Sequence, residues 1–168
     1  MATINSSNMQ ITPYADGAVT SNEQVGFSAY VSSTQNNVTG ASVAYTLLCD
    51  TEIYDTHGIY NTGTGVVTAP LSGMYHFCGM VRFSGIASPH SLRSVTGGTY
   101  TATKMSTVGL YRFDVTGAIA TIPFSCLVEL DASDTISFGM LVGGGSQTID
   151  IVGGTAPYLT FMTGRLVA

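Results

Sequence analysis

The chain has 168 residues, of which 45% are hydrophobic and only 9% charged, with a net charge of −5. That length suits one domain with a real core, and the charged fraction falls far below the roughly 25% usual for a soluble domain. Five Lys and Arg residues exclude a basic nucleic-acid footprint and polybasic attachment to an anionic membrane, and no run of 18 apolar residues calls for a membrane span.

Residues 1–24 are rich in Ser, Asn and Thr, with Pro13 and Asp16-Gly17 as turn signals. They read as an extended N-terminal arm with one short strand near residues 9–12. The first ten residues, MATINSSNMQ, carry neither the basic nor the apolar region of a secretory signal. The body, residues 25–168, opens with a strand over 26–32 that puts Phe27, Ala29 and Val31 on one face and Tyr30 on the other. Residues 43–56 alternate as a single long strand, with Val43, Tyr45, Leu47, Cys49 and Ile53 on one side. Asp55-Thr56-His57-Gly58 makes a turn.

The stretch YNTGTGVVTAPLSGMYHF, residues 60–77, packs turn and strand signals together. Gly63 and Gly65 break the chain, Val66-Val67 begins a strand, and Ala69-Pro70 ends it, since proline has no N–H for a ladder. Gly73 opens a strand over 74–84 in which Tyr75, Phe77, Gly79, Val81 and Phe83 share one face. Residues 85–103, with Pro89 and Gly97-Gly98, read as a long exposed connection and a candidate contact surface. Its contact residues are Pro89, His90, Arg93 and Tyr100. Strands follow over 107–115, 119–130, 135–142, 148–152 and 158–167. In the second, Ile122, Phe124, Cys126, Val128 and Leu130 are in phase; in the third, Ile136, Phe138, Met140 and Val142. Gly143-Gly144-Gly145 lacks the Lys-Ser/Thr and the helix of a phosphate-binding loop and reads as a hairpin turn.

No amphipathic helix of ten residues appears, no repeat of fixed period is present, and turn signals recur every eight to fifteen residues. The pattern is that of an all-β sandwich or jelly roll. The three cysteines, Cys49, Cys78 and Cys126, form no metal spacing and fall at or beside apolar strand positions. They read as buried free thiols.

Residues 59–61 (Ile-Tyr-Asn), 65–70 (Gly-Val-Val-Thr-Ala-Pro) and 73–77 (Gly-Met-Tyr-His-Phe) together resemble the signature of the C1q globular-head family. Residues 127–130, 134–136 and 161–166 resemble its later elements in the right order, and residues 26–29 its opening strand. The resemblance covers about residues 26–168. It implies a ten-stranded jelly-roll sandwich of the C1q and tumour-necrosis-factor type, a homotrimer, and a recognition head without enzymatic activity. The fold also occurs on viral and phage particles, and a polar arm with few charges and no export signal fits that setting.

Trimerisation also follows from the strand over 74–84. Its second face, with Met74, His76, Cys78 and Met80, is largely apolar too, and a strand apolar on both faces must be covered on both. A sandwich core covers one; a neighbouring subunit covers the other. Tyr158 and Met162, set against Leu159 and Phe161, repeat the pattern. The expected subunit interface is therefore Met74, His76, Met80, Tyr158 and Met162.

Catalytic motifs are absent: no G-x-S-x-G and no H-E-x-x-H occurs, and His57, His76 and His90 accompany no nucleophile motif. Asp50, Glu52 and Asp55 are a candidate metal site, since hard carboxylate oxygens at this spacing suit Ca²⁺. Asn37-Val38-Thr39 is an N-glycosylation sequon, meaningful in a secretory pathway. The combined expectation is a non-enzymatic homotrimer on a virion surface, serving as spike, fibre head or capsid decoration for host attachment or particle stability. The arm would engage other virion proteins, and a host receptor or glycan would be the external partner. The alternative is a secreted C1q-like pattern-recognition or lectin-like module.

Overall fold

The computed structural model describes residues 11–13, 19–21, 24–87, 91–99, 106–107 and 118–167, with side chains over 24–87 and 119–167. Every strand pairing among the described residues is antiparallel. In the arm, β1 (Ile11–Pro13) and β2 (Val19–Ser21) form a hairpin separate from the two large sheets. One strand was expected there, near residues 9–12.

The body is a two-sheet sandwich. Its strands are β3 (Gly26–Tyr30), β4 (Gln35–Thr39), β5 (Val43–Thr46), β6 (Thr51–Asp55), β7 (Tyr60–Asn61), β8 (Val66–Thr68) and β9 (Gly73–Ile86), then β10 (Ser91–Thr99), β11 (Ser106–Thr107), β12 (Ala118–Leu130), β13 (Thr135–Gly143), β14 (Ile149–Ile151) and β15 (Phe161–Leu166). The first sheet runs β11-β10-β13-β8-β7, with β5 also on β13. The second runs β4-β14-β9-β15-β3-β6, with β12 also on β9. Neighbours in each sheet are mostly distant in sequence, as a jelly roll requires. The strand segments outnumber the expected ten because turns and crossings divide several longer runs.

The alternation read from the sequence sets the core. Phe27, Ala29 and Val31 of the opening strand, Tyr75, Phe77, Val81 and Phe83 of β9, and Ile136, Phe138, Met140 and Val142 of β13 are all buried. Phe77 from one sheet meets Phe138 from the other, ring centroids 5.3 Å apart, and Phe124 of β12 meets Phe138 at 5.2 Å. These tilted contacts between aromatic rings join the layers.

The signature stretch has a structural explanation. Tyr60 stacks flat on Phe27, centroids 4.8 Å apart, and its hydroxyl accepts the Cys49 backbone N–H at 2.9 Å. The Asn61 side chain accepts the backbone N–H of Gly63 and Thr64, an Asx-type turn. Gly65 has φ +71 and sits against the Leu47 carbonyl, a place no side chain fits. Ala69 and the turn after β12 then exchange two backbone bonds, Ala69 N–H to Asp134 O and Ser133 N–H to Ala69 O.

Three expectations are corrected. The single strand over 43–56 is two strands in opposite sheets: β5 lies on β13, and β6 on β3. Between them residues 47–50 cross the sandwich, burying Leu47 and Cys49. The apolar alternation persists through a crossing, so periodicity alone does not reveal it. Val43 and Ile53, in phase with Leu47 and Cys49 in the sequence, are exposed. Next, residues 91–99 are no loop: β10 pairs with β13 over its length, with an irregularity between Leu92 and Ser94. Its Ser, Thr and Gly residues resemble loop composition, but the backbone ladder accepts them. The expected strand over 107–115 lies, except for Thr107, outside the described residues. The third is Met162, expected on the outward face but buried.

The cysteines are free, with Cys49 and Cys126 buried and Cys78 half-buried.

Candidate subunit-association face

β9 is the centre of the second sheet, flanked by β12 on one side and by β15 and β14 on the other. Its inward side chains are fully buried. Its outward ones, Met74, His76, Cys78 and Met80, are only half-buried within one chain. Strand register builds a surface around them. Across from His76 stand Leu127 on β12 and Arg165 on β15; across from Cys78 stand Ser125 and Thr163; across from Met80 stand Pro123 and Phe161. Phe161 in turn pairs with Tyr30 of β3. The Tyr158 ring packs on Tyr30, centroids 4.4 Å apart. The result is a band of Leu127, Met74, Met80, Phe161, Tyr30 and Tyr158 across four strands and a loop. Leu127 is 61% exposed and Tyr158 43%.

Of the five expected interface residues, Met74, His76 and Met80 share this face, and Tyr158 lies beside it. Met162 does not: it is 0% exposed, in the core beside Gly164. The phase of β15 is opposite to the expected one, and Phe161 takes the outward position. Gly164 explains the phase. A Cβ there would stand 2.6 Å from both the Phe27 and Phe77 rings, so Gly164 points inward where the core is tightest, and Met162 shares its parity. Leu127 and Phe161 were missed. For Leu127 the signal was present, since the inward phase of Phe124, Cys126, Val128 and Leu130 turns it outward.

The polar groups of the face are few. His76 Nε2 and Ser125 Oγ are 2.9 Å apart. Arg82 Nε is buried without a hydrogen-bond partner among the described residues. Arg165 is exposed at the face's margin, and Glu129 stands across from Met74. His57 lies elsewhere, its Nδ1 3.0 Å from Thr56 Oγ1.

The other candidate sites fare differently. Asp50, Glu52 and Asp55 do not converge. Asp50 accepts the Ser32 N–H and hydroxyl, and Asp55 accepts the N–H groups of His57, Ile59 and Tyr60. These carboxylates hold turns together. Among the described residues no group of three His, Cys, Asp or Glu could hold a metal ion. Of the expected contact loop, Pro89, His90 and Tyr100 lie outside the described residues, and Arg93 falls within β10 at its irregularity. Burial pushes the Cys49 thiol up to about 12 and the Cys126 thiol up to about 11, so both are neutral at pH 7 and poor nucleophiles. No helix among the described residues is long and apolar enough to cross a membrane.

No family profile matches the chain, and no curated protein matches it by sequence. Solved structures do match by fold. The globular domain of the zebrafish complement 1qA protein superposes with a TM-score of 0.60 at 13% identity, covering 87% of this chain and 98% of that one. Murine APRIL gives 0.58 at 10% identity, over 86% and 100%. The Eiger TNF of S. frugiperda gives 0.60 at 9% identity, over 86% and 93%. At such identities the likeness establishes architecture. The chain folds as a C1q/TNF-like jelly roll.

Proposed function

We propose that this chain is a non-enzymatic binding head that works as a homotrimer, with the outward face of β9 as its subunit interface. The observation that carries the reading is that face: Met74, Met80, Leu127, Phe161, Tyr30 and Tyr158 form one apolar surface left open in the single chain. Contiguous apolar surface of this kind marks an association site. A chain with 9% charged residues has little else with which to keep such a face in solution. The setting we favour is a particle surface, where the head serves as spike, fibre head or capsid decoration for host attachment or particle stability. The low charge and the separate hairpin of the arm, which would engage neighbouring particle proteins, support it.

A secreted recognition module is the second reading. The likeness to a complement protein's globular domain favours it, as does the exposed Asn37 of the Asn-Val-Thr sequon. A light-scattering mass of the purified chain tests the trimer, which should weigh three times the 17.5 kDa of one chain. Co-purification with particles, against release into medium as a glycosylated product, separates the two settings.

A further inference from the structure

We infer that His76 makes assembly through this face sensitive to mild acid, with the trimer loosening as the imidazole gains its proton. The inference rests on the proposed trimer and adds its regulation. His76 sits mid-face on β9, half-buried before any partner arrives, between Leu127 on one side and Arg165 on the other. A second copy laid on Met74, Met80 and Leu127 removes the ring from water, and desolvation disfavours the charged imidazolium. The groups facing it set the sign. On its own strand these are Met74 and Cys78. On β12 they are Ser125, which holds Nε2 at 2.9 Å, Leu127, and Glu129 one pair further along. On β15 they are Thr163 and Arg165.

The directly opposed charge is thus a cation, Arg165, while the carboxylate of Glu129 stands diagonally, across from Met74. Ser125 Oγ can donate to a neutral Nε2 or accept from a protonated one, so it does not oppose the change. Loss of water on assembly and the like charge of Arg165 both disfavour an imidazolium at this place, and Glu129, one pair further along, is the one group among these neighbours that opposes them. An imidazole ordinarily titrates near about 6.5. Assembly should therefore be full above that pH and weaken below it.

The test is the mass of the full chain by analytical ultracentrifugation across a concentration series, at about pH 7.5 and about pH 5.5, for the native chain and for His76→Gln. Glutamine keeps a hydrogen-bonding group for Ser125 and carries no charge at either pH. His57→Gln serves as a control on a ring away from the face. The expected result is a trimer at the higher pH that dissociates at least about tenfold more readily at the lower, the change that one unit of differential proton affinity produces. That difference should vanish in His76→Gln and persist in His57→Gln, and far-ultraviolet circular dichroism should stay unchanged across the series. A trimer indifferent to pH would overturn the inference and leave the trimer standing. Equal acid dissociation in the native chain and in His76→Gln would also overturn it, by assigning the effect to another group. A monomer at pH 7.5 would instead remove the trimer on which the inference rests.

Discussion

The two faces of β9 carry similar residues and meet different fates. Inward, Tyr75, Phe77, Val81 and Phe83 are completely buried by the opposite sheet; outward, Met74, His76, Cys78 and Met80 remain half-covered. Alternation says which residues share a face, but not which face a single chain can cover. The inner face is closed by Phe138 of the opposite sheet, so its residues answer to folding. The outer face ends in solvent, so its residues answer to association.

The largest effect should come from the inner face. Phe77→Ala removes the ring that meets Phe138 across the sandwich and should cost about 3–5 kcal/mol, measured by urea unfolding of the monomeric or assembled protein at fixed concentration. A smaller loss, about 1–3 kcal/mol, is expected for Gly164→Ala, because the added methyl would press on the rings of Phe27 and Phe77. A Gly164→Ala variant as stable as the native chain would mean that β15 points the other way and that Met162 belongs outside after all.

The mildest probe distinguishes the thiols. Buried Cys49 and Cys126, pushed up to about 12 and about 11, should resist alkylation at pH 7.5, since only a trace of thiolate exists there. Cys78, half-buried on the outer face, should react slowly in dilute protein and be shielded once the face is covered. Mass spectrometry of iodoacetamide-treated protein over a dilution series reads both. Equal modification of all three would contradict the distinction between the faces.

Much of this was legible in the sequence, and the reason is local. The alternation over β9, β12 and β13 needs no tertiary knowledge, and Tyr60-Asn61, Gly65 and Ala69-Pro70 encode their own turn chemistry. What was not legible depends on where a segment lies in three dimensions. Leu47 and Cys49 are buried in a crossing between sheets and look the same as strand residues. Ser91–Thr99 has loop composition but finds a partner in β13. Asp50 and Asp55 look like cation ligands until their oxygens are seen bonded to nearby backbone N–H groups. At β15, adjacent Phe161 and Met162 are both apolar, so hydropathy leaves the phase undecided. The inward Gly164 two residues on was the available clue, since a glycine within a strand often marks a close approach.

The central claim is that the outer face of β9 is closed by copies of the same chain. The most direct measurement compares the solution mass of the native chain with that of Leu127→Asp at the same concentration. Leu127 is 61% exposed in the single chain, so the change should leave monomer stability within about 0.5 kcal/mol while placing a carboxylate in the contact. A trimer mass for the native chain and a mass of one chain for Leu127→Asp, with matching circular dichroism, is the predicted result. A native chain that stays monomeric at tens of micromolar, or a trimer untouched by Leu127→Asp, would contradict it.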